Sequence, residues 1–473
     1  MVYLTPTKAK TEMKKFILPL ALLLLTIIPI GCEDLDDNPL SPSLEVKDFV
    51  WKGMNLFYLW QADVPDLADN KDKQQAEYIS FLNQFNTPTT LFNHLRTDKT
   101  IDRFSVIYSD YTVLEGILSG NTLNNGMDYG LRYVSGNSGP VIGWVRYILP
   151  NSDAATKDIH RGDIFYAVDG TPLDDANWKT LLAKPTYTID LADYNNGVIT
   201  PNGKSITLSG TALAENPIYA NKVIQQDSHN IGYLMYNGFY ASYDNQLNTV
   251  FGDFAAQNVT DLVLDLRYNS GGSINSATKL ASMITGQFTN QLFAKQQWNA
   301  KAQSYYGSTE NKFSGDVNHL NLNKVYILTT KSTASASELV INCLKPYIEV
   351  VQIGDITTGK NVGSITLYDS PTFSKTNVNP NHKYAMQPIV LKTVNKDGFG
   401  DYASGITPTF SYPENLNNLG ILGDADEPLL RFAIAKITGT GKQIPYLPSS
   451  ITRDFTDAKA IHPMRTEMYV ENK

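Results

Sequence analysis

The 473-residue sequence predicts a multidomain α+β protein with three folded segments and a tail. Apolar residues recur at helical spacing within residues 45–104, which predicts a small N-terminal helical domain. Residues 105–213 contain short apolar–polar alternations separated by Gly, Asn and Asp turns, so this segment is predicted to be rich in β-strands. Residues 214–437 alternate continuous apolar runs with helical patterns, which predicts a layered α/β domain. Residues 438–473 are expected to form an irregular tail.

The first 32 residues have the composition of an export signal. Lysines precede an apolar run over residues 16–30, and this run is shorter than the about 20 residues that a membrane span requires. The run ends at Gly31-Cys32 and is followed by acidic residues, which resembles a bacterial lipoprotein signal with a lipidated cysteine. We therefore expect lipidation of Cys32, a tether over residues 33–44, and attachment to the outer membrane of a Gram-negative bacterium, on its periplasmic face or at the cell surface. A secretory peptide cut near Gly31 is the alternative.

Composition excludes several classes of function. The formal net charge of -8 and the isoelectric point of about 5.3 argue against nucleic acid as a partner. The sequence contains no phosphate-binding loop and no zinc-ligand spacing, so we predict no metal and no cofactor. The second cysteine, Cys343, falls within a predicted helix. We expect its side chain to be buried like that of a small apolar residue and to form no disulfide.

The strand-rich segment contains a pattern that resembles the core of a PDZ domain. A short helix near Ala154 is followed by the turn at Gly162-Asp163, by a strand, and by a tight turn at Asp169-Gly170. The alternative is a generic β-domain in which the Asp-Gly pair is only a hairpin turn.

In this resemblance, the loop that binds a peptide carboxylate corresponds to Gly130, Leu131, Arg132 and Tyr133. PDZ domains bind extended C-termini by adding them as a strand to a sheet edge, while backbone N–H groups hold the terminal carboxylate. The pattern therefore predicts a site for the C-terminus of another polypeptide.

Ser335 lies where a predicted strand passes into a predicted helix. A nucleophile at a helix N-terminus is accessible, and the free N–H groups of the first helical turn can stabilise developing negative charge. The same residues also spell a capping box, with Glu338 three positions after Ser335, and such a cap requires no enzyme. The motif alone does not choose between Ser335 and its neighbours Ser332 and Ser337.

A pair of glycines follows the apolar run over residues 261–266, which is predicted to be a buried strand. At Gly271 and Gly272 the backbone can approach another group closely and direct its N–H groups at it. In a hydrolase this would form half of an oxyanion hole, and the N–H of Ala336 would form the other half. The alternative is a strand-to-helix turn in which glycine is needed only because it is small.

Lys360 lies on a loop after the next predicted strand, among small and β-branched residues. A lysine serves as a general base only when burial lowers its pKa from about 10.4 towards neutrality, because the charged form cannot accept a proton. The neighbouring residues are compatible with burial. The alternative is an exposed surface lysine.

Three motifs together resemble the C-terminal processing (tail-specific) proteases, the S41 serine peptidases. They are Asp-Leu-Arg-x-Asn-x-Gly-Gly at residues 265–272, Thr-Ala-Ser-Ala-Ser-Glu at 333–338 and Gly-Lys at 359–360. The resemblance implies a ClpP/crotonase-like protease core over residues 214–437, preceded by the PDZ-like domain.

The resemblance also implies roles for individual residues. Ser335 is the nucleophile, Lys360 is the general base, and backbone N–H groups near Gly271 and at Ala336 form the oxyanion hole. The family usually has glutamine four residues after the lysine, where it helps to orient the base. This sequence has Ser364 at that position, which makes Ser364 a candidate for the orienting role.

The implied function is that of a serine endopeptidase that cleaves polypeptides near their C-termini, after the PDZ-like domain has captured an exposed apolar C-terminus. Relatives with a Ser-His arrangement make His94 and His229 rival bases. The main alternative is a catalytically weak or inactive peptide-binding lipoprotein, because a fold alone does not prove catalysis. Contact between Lys360 Nζ and Ser335 Oγ would favour catalysis, whereas a solvent-facing lysine and a serine that caps its own helix would favour binding.

Overall fold

The computed structural model describes residues 41–306, 309–440, 453–462, 464 and 466–471. The predicted signal segment, Cys32 and most of the predicted tether lie outside the described residues. Within the described ranges, no helix is both long enough and apolar enough to cross a membrane.

Three α-helices form most of the N-terminal segment: α1 (Pro42–Phe57), α2 (Gln75–Asn83) and α3 (Pro88–His94). Thr87 caps α3, since its side chain accepts a hydrogen bond from the N–H of Thr90 at 3.1 Å. Val50 and Met54 of α1 are fully buried in one continuous core with residues of the α/β domain. These helices therefore extend the main core and do not form a core of their own.

The next stretch also packs against the α/β domain. Strand β1 (Val106–Tyr108) pairs antiparallel with residues 385–387, and helix α4 (Tyr111–Leu118) belongs to a small apolar cluster with Tyr368. The strand-rich sheet therefore starts only after this stretch, later than the predicted start at residue 105.

The strand-rich segment contains eight strands, one short α-helix and, as predicted near Ala154, a 3-10 helix over Ala154–Thr156. The strands and the α-helix are β2 (Asn121–Asn124), β3 (Met127–Tyr133), β4 (Val141–Ile148), β5 (Ile164–Val168), β6 (Thr171–Pro172), α5 (Trp178–Leu182), β7 (Thr186–Asn195), β8 (Val198–Ser209) and β9 (Thr211–Ala214). Five of the strands form an antiparallel sheet in the order β3-β4-β5-β7-β8. Val145 and Phe165 face a core within this segment, whereas Trp144 and Tyr147 pack against the α/β domain. The sheet is thus fixed to the α/β domain through one face. Its assignment as PDZ-like stays a prediction.

The α/β domain contains the following elements in chain order: β10 (Ile218–Gln226), β11 (His229–Tyr236), α6 (Asp244–Ala256), β12 (Asp261–Asp265), β13 (Gly271–Ser273), α7 (Ile274–Thr285), β14 (Leu292–Trp298), α8 (Ala300–Tyr306), β15 (Glu310–Lys312), β16 (Lys324–Thr329), α9 (Ala336–Leu344), β17 (Glu349–Gly354), β18 (Val362–Ser364), β19 (Leu367–Tyr368), β20 (Ala385–Gln387), β21 (Ile389–Val394), β22 (Phe410–Ser411) and α10 (Pro428–Thr438). Its central sheet has the order β10-β11-β12-β16-β17-β22 and is parallel from β11 onwards.

Alternate residues of the central strands face opposite sides of this sheet, as strand geometry requires. Tyr233 and Val263 pack in the cluster that contains α10 and the strand-rich sheet, whereas Leu234 and Leu264 pack in the cluster that contains α6, α7 and α9. Because β12 and β16 are parallel neighbours, their carboxyl ends meet at one edge. This arrangement brings the turn at Gly271 next to the serine turn that follows β16.

The tail contributes two strands, β23 (Arg453–Asp457) and β24 (Glu467–Tyr469). Strand β23 pairs antiparallel with β3, and β24 lies in a second sheet of the order β13-β24-β18-β21-β14-β15. The expectation of an irregular tail is therefore wrong for the described part of this segment. Its order comes from pairing with strands that are distant in sequence, which local patterns do not indicate.

Arg267 lies at the centre of a buried cluster of charges. Its guanidinium donates to Asp265 at 2.9 Å, to Glu427 at 2.7 and 3.1 Å, and to Glu414 at 3.2 Å. Arg161 of the strand-rich segment also donates to Glu414, at 2.7 Å. Burial raises the pKa of Glu414, but the two arginines outweigh it and lower that pKa to about 2. The cluster thus ties β12, α10 and the strand-rich sheet together.

Replacing Arg267 with alanine is expected to lower the free energy of unfolding by about 3–5 kcal/mol, because Asp265 and Glu427 would stay buried without their partner. Chemical denaturation measures this change. The control Lys324→Ala removes an ion pair with Glu349 whose side chains are 44% and 59% exposed, and it should cost less than about 1 kcal/mol. Equal losses in the two variants would contradict the role of the buried cluster.

Candidate active site

Ser335 occupies the turn between β16 and α9. Its backbone has φ 64° and ψ -114°, a conformation that residues other than glycine rarely adopt and that costs about 1–3 kcal/mol. The side chain is buried, and Oγ has no hydrogen-bond partner among the described residues. An unbonded hydroxyl on a strained turn indicates a functional group rather than a packing element.

The two rival serines are both engaged in structural hydrogen bonds. The Ser332 hydroxyl donates to Asp457 at 2.7 Å and accepts from Arg146 at 2.9 Å. The Ser337 hydroxyl donates to the carbonyl oxygen of Asn269 at 3.1 Å. Geometry therefore separates Ser335 from its neighbours, which the motif did not do.

Glu338 joins the serine turn to the lysine loop. Its carboxylate accepts hydrogen bonds from the N–H groups of Ser335 at 2.7 Å, Lys360 at 2.8 Å and Gly359 at 2.6 Å, and from the Thr357 hydroxyl at 2.5 Å. Burial raises the pKa of Glu338, while these four hydrogen bonds act in the opposite direction. The sequence indicated Glu338 only as part of a helix cap. Its role as a link to the lysine loop became visible only in three dimensions.

Lys360 is buried beside the serine helix. Its Nζ donates to the carbonyl oxygen of Thr466 at 2.7 Å and lies 4.9 Å from the centre of the Phe104 ring. Burial lowers the pKa of Lys360 to about 8, against the opposing effect of nearby carboxylates, of which Glu467 is the foremost. Nζ makes no hydrogen bond to Ser335 Oγ in this structure. The tail instead accepts the bond from the lysine.

Ser364 makes no hydrogen bond to Lys360 Nζ in this structure. Its hydroxyl donates to the side-chain oxygen of Gln387 and, at 3.3 Å, to the carbonyl oxygen of Met468. Gln387 in turn donates to the Thr366 hydroxyl at 2.6 Å. Because β18 directs the Ser364 side chain towards Gln387 and the tail, an orienting role of Ser364 stays a prediction without a supporting contact in this structure.

The glycine pair allows the tail to approach the serine closely. Gly271 and Gly272 have φ values of 118° and 137°, which favour glycine. A Cβ atom at residue 271 would lie 1.9 Å from the carbonyl oxygen of Glu467 and 2.7 Å from the Cβ of Ser335. The nucleophile and the tail backbone thus flank the same small space, and a side chain at residue 271 would fill it.

The three predicted oxyanion-hole residues are not equivalent. The N–H of Gly271 is already bonded to the side-chain oxygen of Asn269 at 2.9 Å. The N–H of Gly272 lies in the ladder with β24, and Ala336 is the first residue of α9, so its N–H has no partner within the helix. Ala336 is therefore the better candidate to face an oxyanion, and Gly272 becomes one when β24 leaves its ladder.

The four residues predicted to bind a peptide carboxylate lie on β3 and not on a loop. The tail strand β23 pairs with their outer edge, with Gly130 opposite Asp457, Leu131 opposite Thr456, Arg132 opposite Asp454 and Tyr133 opposite Arg453. Arg132 also donates to the Asp454 carboxylate at 2.7 Å. The edge to which a peptide strand would be added is thus occupied by this chain itself.

The rival histidines lie in other pairings. His94 Nε2 lies 2.7 Å from an Asp66 oxygen, and His229 Nδ1 lies 2.7 Å from an Asp261 oxygen. Cys343 is buried in α9, as the sequence predicted. In the part of the chain that the structure describes, no group of three or more His, Cys, Asp or Glu residues could hold a metal ion.

Two regions of the chain match known families. Residues 230–380 match Peptidase family S41, and residues 45–106 match the Peptidase S41 N-terminal domain. The first region contains the serine turn, the glycine pair and the lysine loop, and the second contains the N-terminal helices.

Individual relatives agree with these matches. The chain is 24% identical over 218 residues to a carboxyl-terminal-processing protease of Picosynechococcus sp., covering 45% of this chain and 50% of that one. It is 24% identical over 241 residues to carboxyl-terminal-processing peptidase 1, chloroplastic, of Arabidopsis thaliana, covering 50% of this chain and 47% of that one. The chain thus spans about half the length of these relatives. A solved structure described as an S41 protease of Bacteroides fragilis is 28% identical, with a TM-score of 0.65 over 83% of this chain and 98% of that one.

Glu338→Gln is expected to lower the free energy of unfolding by about 2–4 kcal/mol. The reason is that the amide NH2 would face backbone N–H groups whose hydrogen bonds the carboxylate now accepts. Denaturant titration measures the loss. Glu349→Gln, a change of the same chemistry at an exposed position, should cost less than about 0.5 kcal/mol. A Glu338→Gln protein as stable as the parent would show that the carboxylate does not hold the two loops together.

Proposed function

Because this chain belongs to peptidase family S41, we propose that it is a serine endopeptidase that hydrolyses polypeptides through Ser335 and Lys360. The observation that carries the proposal is the buried, unbonded Ser335 hydroxyl on a strained turn at a helix N-terminus. Ser335 and Glu338 have the arrangement of a capping box, but the serine hydroxyl makes no hydrogen bond to an N–H of its helix, as a group that served only as a cap would. Glu338 holds the lysine loop against the same turn.

Acylation begins when neutral Lys360 accepts the hydroxyl proton of Ser335 and Oγ attacks the scissile carbonyl carbon. The lysine passes this proton to the leaving amine as the peptide bond breaks. Water then hydrolyses the acyl-enzyme with the same base. The N–H groups of Gly272 and Ala336 stabilise the oxyanion. Lys360 Nζ, which now donates to Thr466, has to come within about 3 Å of Oγ for the first step.

Capture of a substrate C-terminus would use the edge of β3 at residues 130–133. An added strand requires an unpaired edge, and β23 takes that edge in this structure. We therefore expect capture of an apolar C-terminus to involve displacement of β23. Lipidation of Cys32 and attachment to the outer membrane complete the proposal and rest on the sequence of the first 32 residues alone.

A peptide-binding protein without catalysis is the second candidate function. The observation that favours it is the lack of a hydrogen bond between Lys360 and Ser335. Two other observations favour catalysis: the lysine is buried and does not face solvent, and the serine hydroxyl does not cap its own helix. The balance of these observations supports the peptidase.

A fluorophosphonate probe is expected to label the folded protein at Ser335. Ser335→Ala should abolish labelling and lower the rate of polypeptide cleavage by about 10³-fold or more. Ser337→Ala is the matched control, because the Ser337 hydroxyl is bonded to a backbone carbonyl oxygen and should not react. Gel fluorescence and mass spectrometry of the labelled peptide measure the result. Cleavage by Ser335→Ala at the parent rate would exclude the proposed nucleophile.

The value of kcat/KM is expected to rise with pH and to level off above about 8, because Lys360 accepts a proton only in its neutral form. Glu467→Gln should move the midpoint to lower pH, since the carboxylate near Lys360 stabilises the charged amine. Glu349→Gln is the remote control. The profile of kcat/KM reports the free enzyme, in which the tail lies beside the lysine. A midpoint that rises or stays constant in Glu467→Gln would show that this carboxylate does not act on Lys360.

A further inference from the structure

The tail strand β24 lies between two strands of the candidate active site. On one side it runs parallel to β13, with Gly271 opposite Glu467 and Gly272 opposite Met468. On the other side it runs parallel to β18, with Ser364 opposite Tyr469. Without β24, the facing edges of β13 and β18 would be about 10 Å apart, twice the spacing of neighbouring strands. A gap of this width admits one extended polypeptide.

The strand in this gap passes the candidate catalytic groups. The carbonyl oxygen of Thr466 accepts from Lys360 Nζ at 2.7 Å. The N–H of Glu467 donates to the carbonyl oxygen of Ser270 at 3.2 Å, and the parallel register then directs the N–H of Gly272 at the carbonyl oxygen of Glu467. The tail backbone therefore lies against the lysine and against one candidate oxyanion donor.

The side chains of this strand alternate between two environments. Met468 is fully buried in the main apolar core, and its sulfur lies 3.9 Å from the Thr393 hydroxyl. Glu467 points to the other side, where it accepts from the Ser270 hydroxyl at 3.2 Å. Tyr469 donates from its hydroxyl to the carbonyl oxygen of Leu118 at 3.2 Å. The gap thus offers one deep apolar pocket, and Met468 fills it.

The same tail also occupies the other predicted peptide-binding element, because β23 is added to the edge of β3. One segment of the chain therefore makes strand pairings at both places where the proposed function puts a substrate. Both pairings use backbone groups, which any extended polypeptide possesses. Selectivity must then come from the pockets for side chains.

We propose that the gap between β13 and β18 is a polypeptide-binding slot, that residues 466–470 occupy it as an internal ligand, and that it selects an extended segment with an apolar, methionine-sized side chain at the place of Met468. The inference deepens the proposed function by naming the substrate class of the same site. An external polypeptide enters the slot when it displaces the tail strand.

The test uses the full-length chain with Ser335→Ala, so that binding is measured without cleavage. A recognition sequence for a site-specific protease is inserted at residue 463, and the protein is cut after it has folded. The strand is then held only by non-covalent contacts. A fluorescent peptide with the sequence of residues 464–473 is expected to exchange into the cut protein, as measured by anisotropy, and to bind the uncut protein at least about tenfold more weakly.

Two variant peptides test the pocket. The Met468→Leu peptide, which conserves volume, should bind within about threefold of the parent peptide. The Met468→Asp peptide should bind at least about tenfold more weakly, because it would place a charge in an apolar pocket. Equal binding of the Asp and parent peptides would overturn the inference. So would loss of the folded circular dichroism spectrum on cutting, since β24 would then be a permanent part of the sheet.

The outcomes separate this inference from the proposed function. If the peptides bind as expected but the cut protein with Ser335 intact, freed of its tail peptide, neither reacts with the probe nor cleaves polypeptides, the slot stands and the peptidase proposal fails. If the intact protein cleaves polypeptides but the peptides do not exchange into the cut protein, the slot inference fails and the peptidase proposal stands.

Discussion

The hydrogen bonds of one buried carboxylate hold the candidate site together. Ser335 follows β16 and Lys360 follows β17, so the two residues lie on separate loops that are joined by the Glu338 side chain. A buried carboxylate is costly unless its oxygens accept hydrogen bonds, and each oxygen of Glu338 accepts two. Separating the loops would leave that charge unpaired. This constraint maintains the strained turn of Ser335 and keeps the lysine at the edge of the site.

A second requirement, that buried backbone groups be paired, accounts for the position of the tail. Strands β13 and β18 present facing edges inside the protein, and β24 satisfies both of them. Strand β23 satisfies the free edge of β3 in the same way. The polypeptide-binding slot proposed above would use the same backbone groups. The fold and the proposed function therefore depend on the same strand edges, which the tail of the chain pairs with in this structure.

Local patterns predicted much of the α/β domain, and long-range contacts account for what they missed. Strands β12 and β16 and the helix after Ser335 were recognisable from apolar patterns, because their secondary structure depends largely on residues nearby in the chain. The stretch from β1 to α4, the two tail strands and the direction of Ser364 depend on partners elsewhere in the fold. The choice of Ser335 over Ser332 and Ser337 needed the family resemblance first, and the hydrogen bonds then supported it.

The sequence by itself determined the order of the segments, the position of a lysine 25 residues after a serine, and the glycine pair that allows close approach, because each is a pattern of residue types along the chain. Only the tertiary structure decided that Glu338 links the serine and lysine loops and that Lys360 donates to Thr466 rather than to Ser335. It also decided that the tail strand β24 lies between β13 and β18. The reason is physical: burial lowers the pKa of the lysine and strand pairing orders the tail, and both depend on what surrounds a residue in space.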